Sequence, residues 1–200
     1  MVHERSFRRW ELALLLGLAL ALTTAAWCAG ESADLAGQVV RLHVVGASDS
    51  AEDQAMKLRV RDAVLAHAAP LLEGAEDREE ALDILAAHLE ELAWAGAEVS
   101  GTAVTAAVEE DVWFPTKHYA NFSLPAGRYT ALKVTVGEGE GRNWWCVVYP
   151  SLCLGAVSEE TVAEAGAFSE GQVALLTGES EGYAVKFRLL ELWGELQKKG

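Results

Sequence analysis

Cysteine is scarce in this chain, basic charge is scarcer than acidic, and no paired metal-ligand motif occurs. Only three cysteines stand among 200 residues, and no CxxC, HxxxH or HExxH spacing is present. Those absences argue against a zinc ribbon, a zinc protease and a thioredoxin-like redox pair. Sixteen Lys and Arg face thirty Asp and Glu, a formal net charge of -14. The deficit sits in the body: beyond residue 30 there are 13 basic and 28 acidic side chains. A body of that charge repels nucleic acid and anionic lipid, so nucleic-acid binding is not expected. Internal repeats and low-complexity tracts are also missing. A composition of 51% hydrophobic and 23% charged residues is nonetheless that of a globular chain long enough for a sizeable core.

One long apolar run is present, at the N-terminus. Arg5, Arg8 and Arg9 precede an uncharged stretch from Leu12 to Gly30, densest from Leu12 to Leu22. A basic region followed by an apolar segment of this length is the pattern of a signal peptide or an N-terminal anchor. The arginines would stay cytoplasmic and the rest of the chain would lie outside. Residues 1–30 are therefore expected to be a signal or anchor, 31–37 a linker, and 38–200 one extracytoplasmic domain.

In that domain QVVRLHVVG, from Gln38, alternates as a strand, with Val40, Leu42 and Val44 on one face and Arg41 and His43 on the other. ASDSAEDQ then opens a helix. Ser50 with Asp53 three residues on forms a capping box, and acidic side chains suit the positive end of a helix. The helix is expected to run to about Pro70, with Met56, Val60, Ala63, Val64 and His67 inward and Lys57 on or near another face. Glu76 to Ala95 reads as a second helix. Three stretches then alternate as strands: TAVTAAVEEDVW from Thr102, YTALKVTVGEG from Tyr129 and NWWCVVYP from Asn143. YAVKFRLLELWGELQKK, from Tyr183, reads as a closing amphipathic helix. The order predicts an α+β fold, a mostly antiparallel sheet with helices packed on one face.

Chemistry concentrates, if anywhere, in GEGEGRNWWCVVYPSLC, from Gly137 to Cys153. A phosphate loop needs a following helix N-terminus, whereas here Glu138 and Glu140 alternate with the glycines and a strand follows. The glycines read as a hairpin turn. In an exported protein Cys146 and Cys153 suit a disulfide, provided the chain reverses about Tyr149-Pro150. A turn centred on Pro150-Ser151 would misalign them. Such a bridge would contribute about 2–3 kcal/mol in the chain-entropy model. Trp144 and Trp145 must point to opposite faces of their strand, one filling the core and the other covered or exposed. His43, His67, His88 and His118 are scattered, and no catalytic constellation, metal set or cofactor motif emerges. A competing reading makes the chain an exported hydrolase acting on wall or lipid, with Asp49 or Asp53 as acid/base. A third makes it a passive extracytoplasmic structural module.

Two blocks, SDSAEDQAMKLRVRDAV from Ser48 and LPAGRYTALKVTVGEGEGRNWWCVVYPSLC from Leu124, together resemble the stage II sporulation protein R family of endospore-forming Firmicutes. The resemblance runs from Val39 to Cys153. Ala47 stands where family members often have asparagine, and Pro150-Ser151 where they often have two prolines. The resemblance implies a protein made in the forespore and exported into the space between the two membranes. There it would activate a membrane-embedded aspartic protease, stage II sporulation protein GA, which processes the precursor of sigma E. Membrane contact would run through the N-terminal segment if it is uncleaved. On this reading Asn143, Trp144, Trp145, Asp49 and Asp53 are the candidate partner-binding residues.

Overall fold

The computed structural model describes residues 9–118 and 123–150, with the side chains of residues 25, 27–29 and 31–33 outside that set. A first helix, α1 (Arg9–Ala36), continues through residues 31–36, the stretch expected as a linker. Trp10 and the leucines at 12, 14, 15, 16, 18, 20 and 22 each expose more than half of their surface. Its far end turns inward, where Leu35 and then Val39 are fully buried. Among the described residues no helix is long and apolar enough to cross a membrane.

Strand β1 (Val40–Val45) leads into α2 (Ala51–Leu72). Ser50 caps α2 as its residue type requires, its side chain accepting from the Asp53 backbone N–H at 3.1 Å. The second expected helix is two, α3 (Arg78–Ala87) and α4 (Leu89–Ser100). His88 breaks it, leaving helical geometry at φ -113° and ψ 17° while its ring Nδ1–H donates to the Ile84 carbonyl at 2.8 Å. The break lets α4 cross α2 and reach the sheet. Four further strands follow: β2 (Val104–Phe114), the short β3 (Lys117–His118) and β4 (Ser123–Leu124), then β5 (Gly127–Val136); β6 (Asn143–Tyr149) closes the set.

The main sheet has the order β2-β5-β1-β6. It is mixed, correcting the expectation of a mostly antiparallel sheet: β1 runs parallel to β5, while β2–β5 and β1–β6 are antiparallel. The physical reason lies in β1, whose backbone is paired on both edges and whose residues are nearly all buried, as a central strand demands. Its insertion separates β5 from β6, so the glycine stretch is no hairpin turn but an arch over the end of β1.

Helices cover one face. Val40, Leu42, Val44, Leu132, Val134 and Cys146 pack there against Val60, Val64, Leu85 and Leu92. Each such buried aliphatic side chain contributes about 1.5–3 kcal/mol. The inward face of α2 differs from expectation, since Lys57 is buried with Val60, Val64, Leu65, Ala68 and Leu72. On the second face Arg41 is fully buried. Its Nε donates to the Cys146 carbonyl at 2.9 Å, and its guanidinium lies 4.4 Å from the Phe114 ring centroid and 5.0 Å from that of Tyr129.

Candidate functional site

The polar entry to α2 and the glycine arch before β6 form one structure. The arch extends the β1–β6 pairing past the strand ends, Gly141 N–H donating to the Gly46 carbonyl at 2.8 Å and Glu140 N–H to that of Ala47 at 3.2 Å. A Cβ at Gly141 would stand 2.4 Å from the Ser48 carbonyl oxygen and 2.8 Å from that of Gly46, so only glycine fits. Gly137 and Gly139 hold left-handed φ values of 57° and 69°, which turn the chain into the arch.

Side chains complete the lock. Asp49 accepts the Arg142 backbone N–H at 2.8 Å, with the Arg142 Nε at 3.5 Å. The buried Lys57 ammonium donates to the Arg142 carbonyl at 2.9 Å and to Gln54 Oε1 at 2.6 Å. Gln54 in turn donates to the Ser48 carbonyl at 2.8 Å. Burial pushes the Lys57 ammonium below the usual lysine value, with Arg142 adding to the shift and Asp49 opposing it. Asp53 does not return to its own cap; it accepts a short hydrogen bond from the Ser48 hydroxyl. The family-like blocks thus meet through residues that are far apart in sequence and adjacent in space.

The arch delivers β6 with Asn143 exposed and the next two residues half-buried on opposite faces. Trp144 lies on the helix side, packed against the core, with the Arg61 guanidinium 4.6 Å from its ring centroid. Trp145 lies on the second face, its ring 6.3 Å from Phe114 and 6.2 Å from His43, with Lys117 Nζ at 5.6 Å. Neither indole is the fully exposed anchor that the sequence left open. His43 joins β1 to this edge, its Nε2–H donating to Asn143 Oδ1 at 3.0 Å. Burial holds the His43 imidazole below its ordinary 6.5, against the opposing pull of the Asn143 hydrogen bond.

Of the expected site residues, Asp49, Asp53, Asn143, Trp144 and Trp145 all belong to this neighbourhood, with Asp49 and Asn143 at the surface and Asp53 partly covered. Sequence reasoning missed Arg142 and Lys57. The signal for Lys57 was its position four residues after Asp53, on the buried stripe with Val60 and Val64. Cys146 is disulfide-bonded; its expected partner, Cys153, lies outside the described residues. Asp49 and Asp53 are occupied by backbone and hydroxyl donors, an arrangement that fixes loops rather than activating water. Among the described residues no cluster of three or more His, Cys, Asp or Glu could hold a metal ion. One GxSxG pentad does occur, GESEG at 178–182; it too lies outside the described residues.

The family model for stage II sporulation protein R matches residues 36–159. The chain belongs to that family. The match contains the whole interlocked site, from Gly46 through Asn143, together with the six strands found among the described residues. Stage II sporulation protein R of Bacillus subtilis (strain 168) is 38% identical over 121 residues, a stretch that covers 58% of this chain and 54% of the relative. The chain thus spans about half the length of the curated relative it matches. No solved structure matches. The family is described as one of stage II sporulation proteins.

Proposed function

We propose that this protein is an exported sporulation signal that activates the membrane-embedded aspartic protease, stage II sporulation protein GA, and through it the processing of the sigma E precursor. The observation that carries the reading is the lock between Asp49 and Arg142. The acidic side chains that an enzyme would need free are held by structural donors, while the lock stiffens an exposed edge. That edge presents Asp49, Arg142 and Asn143 to solvent, flanked by the half-buried rims of Trp144 and Trp145. A rigid polar edge with aromatic flanks binds a protein partner with little ordering cost. Binding that favours the active protease conformation shifts its population toward that state.

Export from the forespore into the intermembrane space belongs to the same proposal. Its support is the charge-free run after Arg5, Arg8 and Arg9, whose leucines stand exposed around α1. Such a helix, apolar all round, calls for an apolar environment. The deciding experiment reconstitutes the full chain with the membrane protease and the sigma-factor precursor. Processing should require this protein; processing at the same rate without it would sink the assignment. The hydrolase reading has no observation among the described residues in its favour.

A further inference from the structure

We infer that the outer face of α4, centred on Trp94, is a second docking surface, and that its occupant is an arginine- or lysine-bearing segment of a protein partner. Trp94 is 62% exposed, the most exposed aromatic side chain among the described residues. The buried stripe of α4 is Leu92, Ala95 and Gly96, with Gly96 pressed against Val60 and Val104. At helical spacing Trp94 points directly away from that stripe. One turn before it stands Glu90 and one turn after it Glu98, both exposed, with Glu91 beside them.

Three features of this face ask for a cation. The helix carries no basic residue, and Glu98 sits in its last turn, where the negative end of the dipole disfavours a carboxylate. Neither Glu90 nor Glu98 has an ion-pair partner among the described residues, while Glu91 reaches only His67 at 3.5 Å. The other two aromatic anchors, Trp144 and Trp145, already carry Arg61 and Lys117 over their rings, whereas Trp94 has no such cation among the described residues. A guanidinium over the Trp94 indole would gain both the ring quadrupole and the flanking carboxylates. The face is also separate from the Asp49–Asn143 edge. Helix α4 packs over β2 and β5, and β2 and β6 stand at opposite ends of the described strand order, about 14 Å apart at ordinary strand spacing.

The test titrates the full chain, with its indoles labelled for NMR, with the acetylated, amidated pentapeptide Arg-Ala-Leu-Ala-Arg. Its arginines lie about 13 Å apart when extended, against about 12 Å along the helix between Glu90 and Glu98. The Trp94 indole resonance, identified by its loss in Trp94→Phe, should move, and the citrulline version of the peptide should leave it still. Trp94→Ala and the pair Glu90→Gln/Glu98→Gln should each weaken binding about tenfold or more at low salt. The pair Glu79→Gln/Asp83→Asn removes two exposed carboxylates from α3 and should stay within about twofold. Equal loss in that control pair would reveal general attraction to an acidic body and overturn the proposal. So would an unmoved Trp94 indole, or movement that follows protein concentration without peptide, which would mark a second copy as the occupant.

Discussion

The carboxylate of Asp49 accepts the backbone N–H of Arg142 at 2.8 Å, across 93 residues of sequence. Each residue stands in a loop, and neither loop is held at that point by secondary structure. Asp49→Ala should therefore loosen both at once. The side chain is largely exposed, so the loss is modest, about 1 kcal/mol by chemical denaturation. Asp49→Asn keeps an acceptor oxygen and should lose less than half of that. Equal losses for Asn and Ala would show that the Arg142 charge, rather than its N–H, is what Asp49 holds.

Gly141→Ala tests the same contact from the other side. The new methyl would meet the Ser48 carbonyl at 2.4 Å and the Gly46 carbonyl at 2.8 Å, both backbone atoms that cannot swing away. Overpacking against backbone should cost about 1–3 kcal/mol. Hydrogen exchange should rise at Glu140 and Gly141, the two amides that donate to Ala47 and Gly46 just beyond the end of β1. Gly74→Ala, with open space around its Cβ, is the control and should change little.

Much of this was legible in the sequence, and the failures share a cause. The N-cap at Ser50, the alternation of Leu42 and Arg41, and the opposite faces of Trp144 and Trp145 are all local properties, fixed by a few neighbouring residues. The expected capping box is only half formed, because the Asp53 carboxylate goes to the Ser48 hydroxyl instead of the Ser50 N–H. The position of β1 between β5 and β6 is not local. Consecutive strands joined by a glycine-rich stretch look like a hairpin, and only the double-sided pairing of β1 shows otherwise. Lys57 was misplaced for the same reason: an ammonium buried at a helix base makes sense only once the Arg142 carbonyl, 85 residues away, is in reach. The two family-like blocks were visible as motifs, but their meeting as one site was not.

His43 should make stability depend on pH. Burial lowers its pKa from 6.5, so the folded chain holds the neutral ring while the unfolded chain takes up a proton first. Its contribution is present above pH 6.5 and falls as pH drops below that value toward the folded pKa. His43→Gln, which can still donate to Asn143, should flatten the fall of melting temperature between about pH 7 and pH 5. An unchanged slope would assign the pH dependence to carboxylates instead.

The disulfide of Cys146 has two candidate partners in a chain of three cysteines. Non-reducing peptide mapping should recover Cys146 linked to Cys153, six intervening residues away. A Cys28–Cys146 peptide would instead tie the N-terminal segment to β6 and would remove the case for a stapled tip.

The proposed signalling surface separates residues by what their loss should damage. Arg142 holds the arch through its backbone, so its exposed side chain can be removed at little cost to folding; Asn143 contributes only the bond to His43 at 3.0 Å. Arg142→Ala and Asn143→Ala should keep their melting temperatures near that of the parent chain while reducing sigma-factor processing about tenfold in the reconstituted system. Trp144 and Trp145 are half-buried, each against a different layer, so alanine there should cost about 2–4 kcal/mol before any effect on signalling can be read. Trp144→Phe and Trp145→Phe keep most of the packing and are the informative variants. If Arg142→Ala and Asn143→Ala process normally and a folded phenylalanine variant does not, the contact belongs to that indole. If all four fold and process normally, the edge that Asp49 and Lys57 stiffen is not where the protease is engaged.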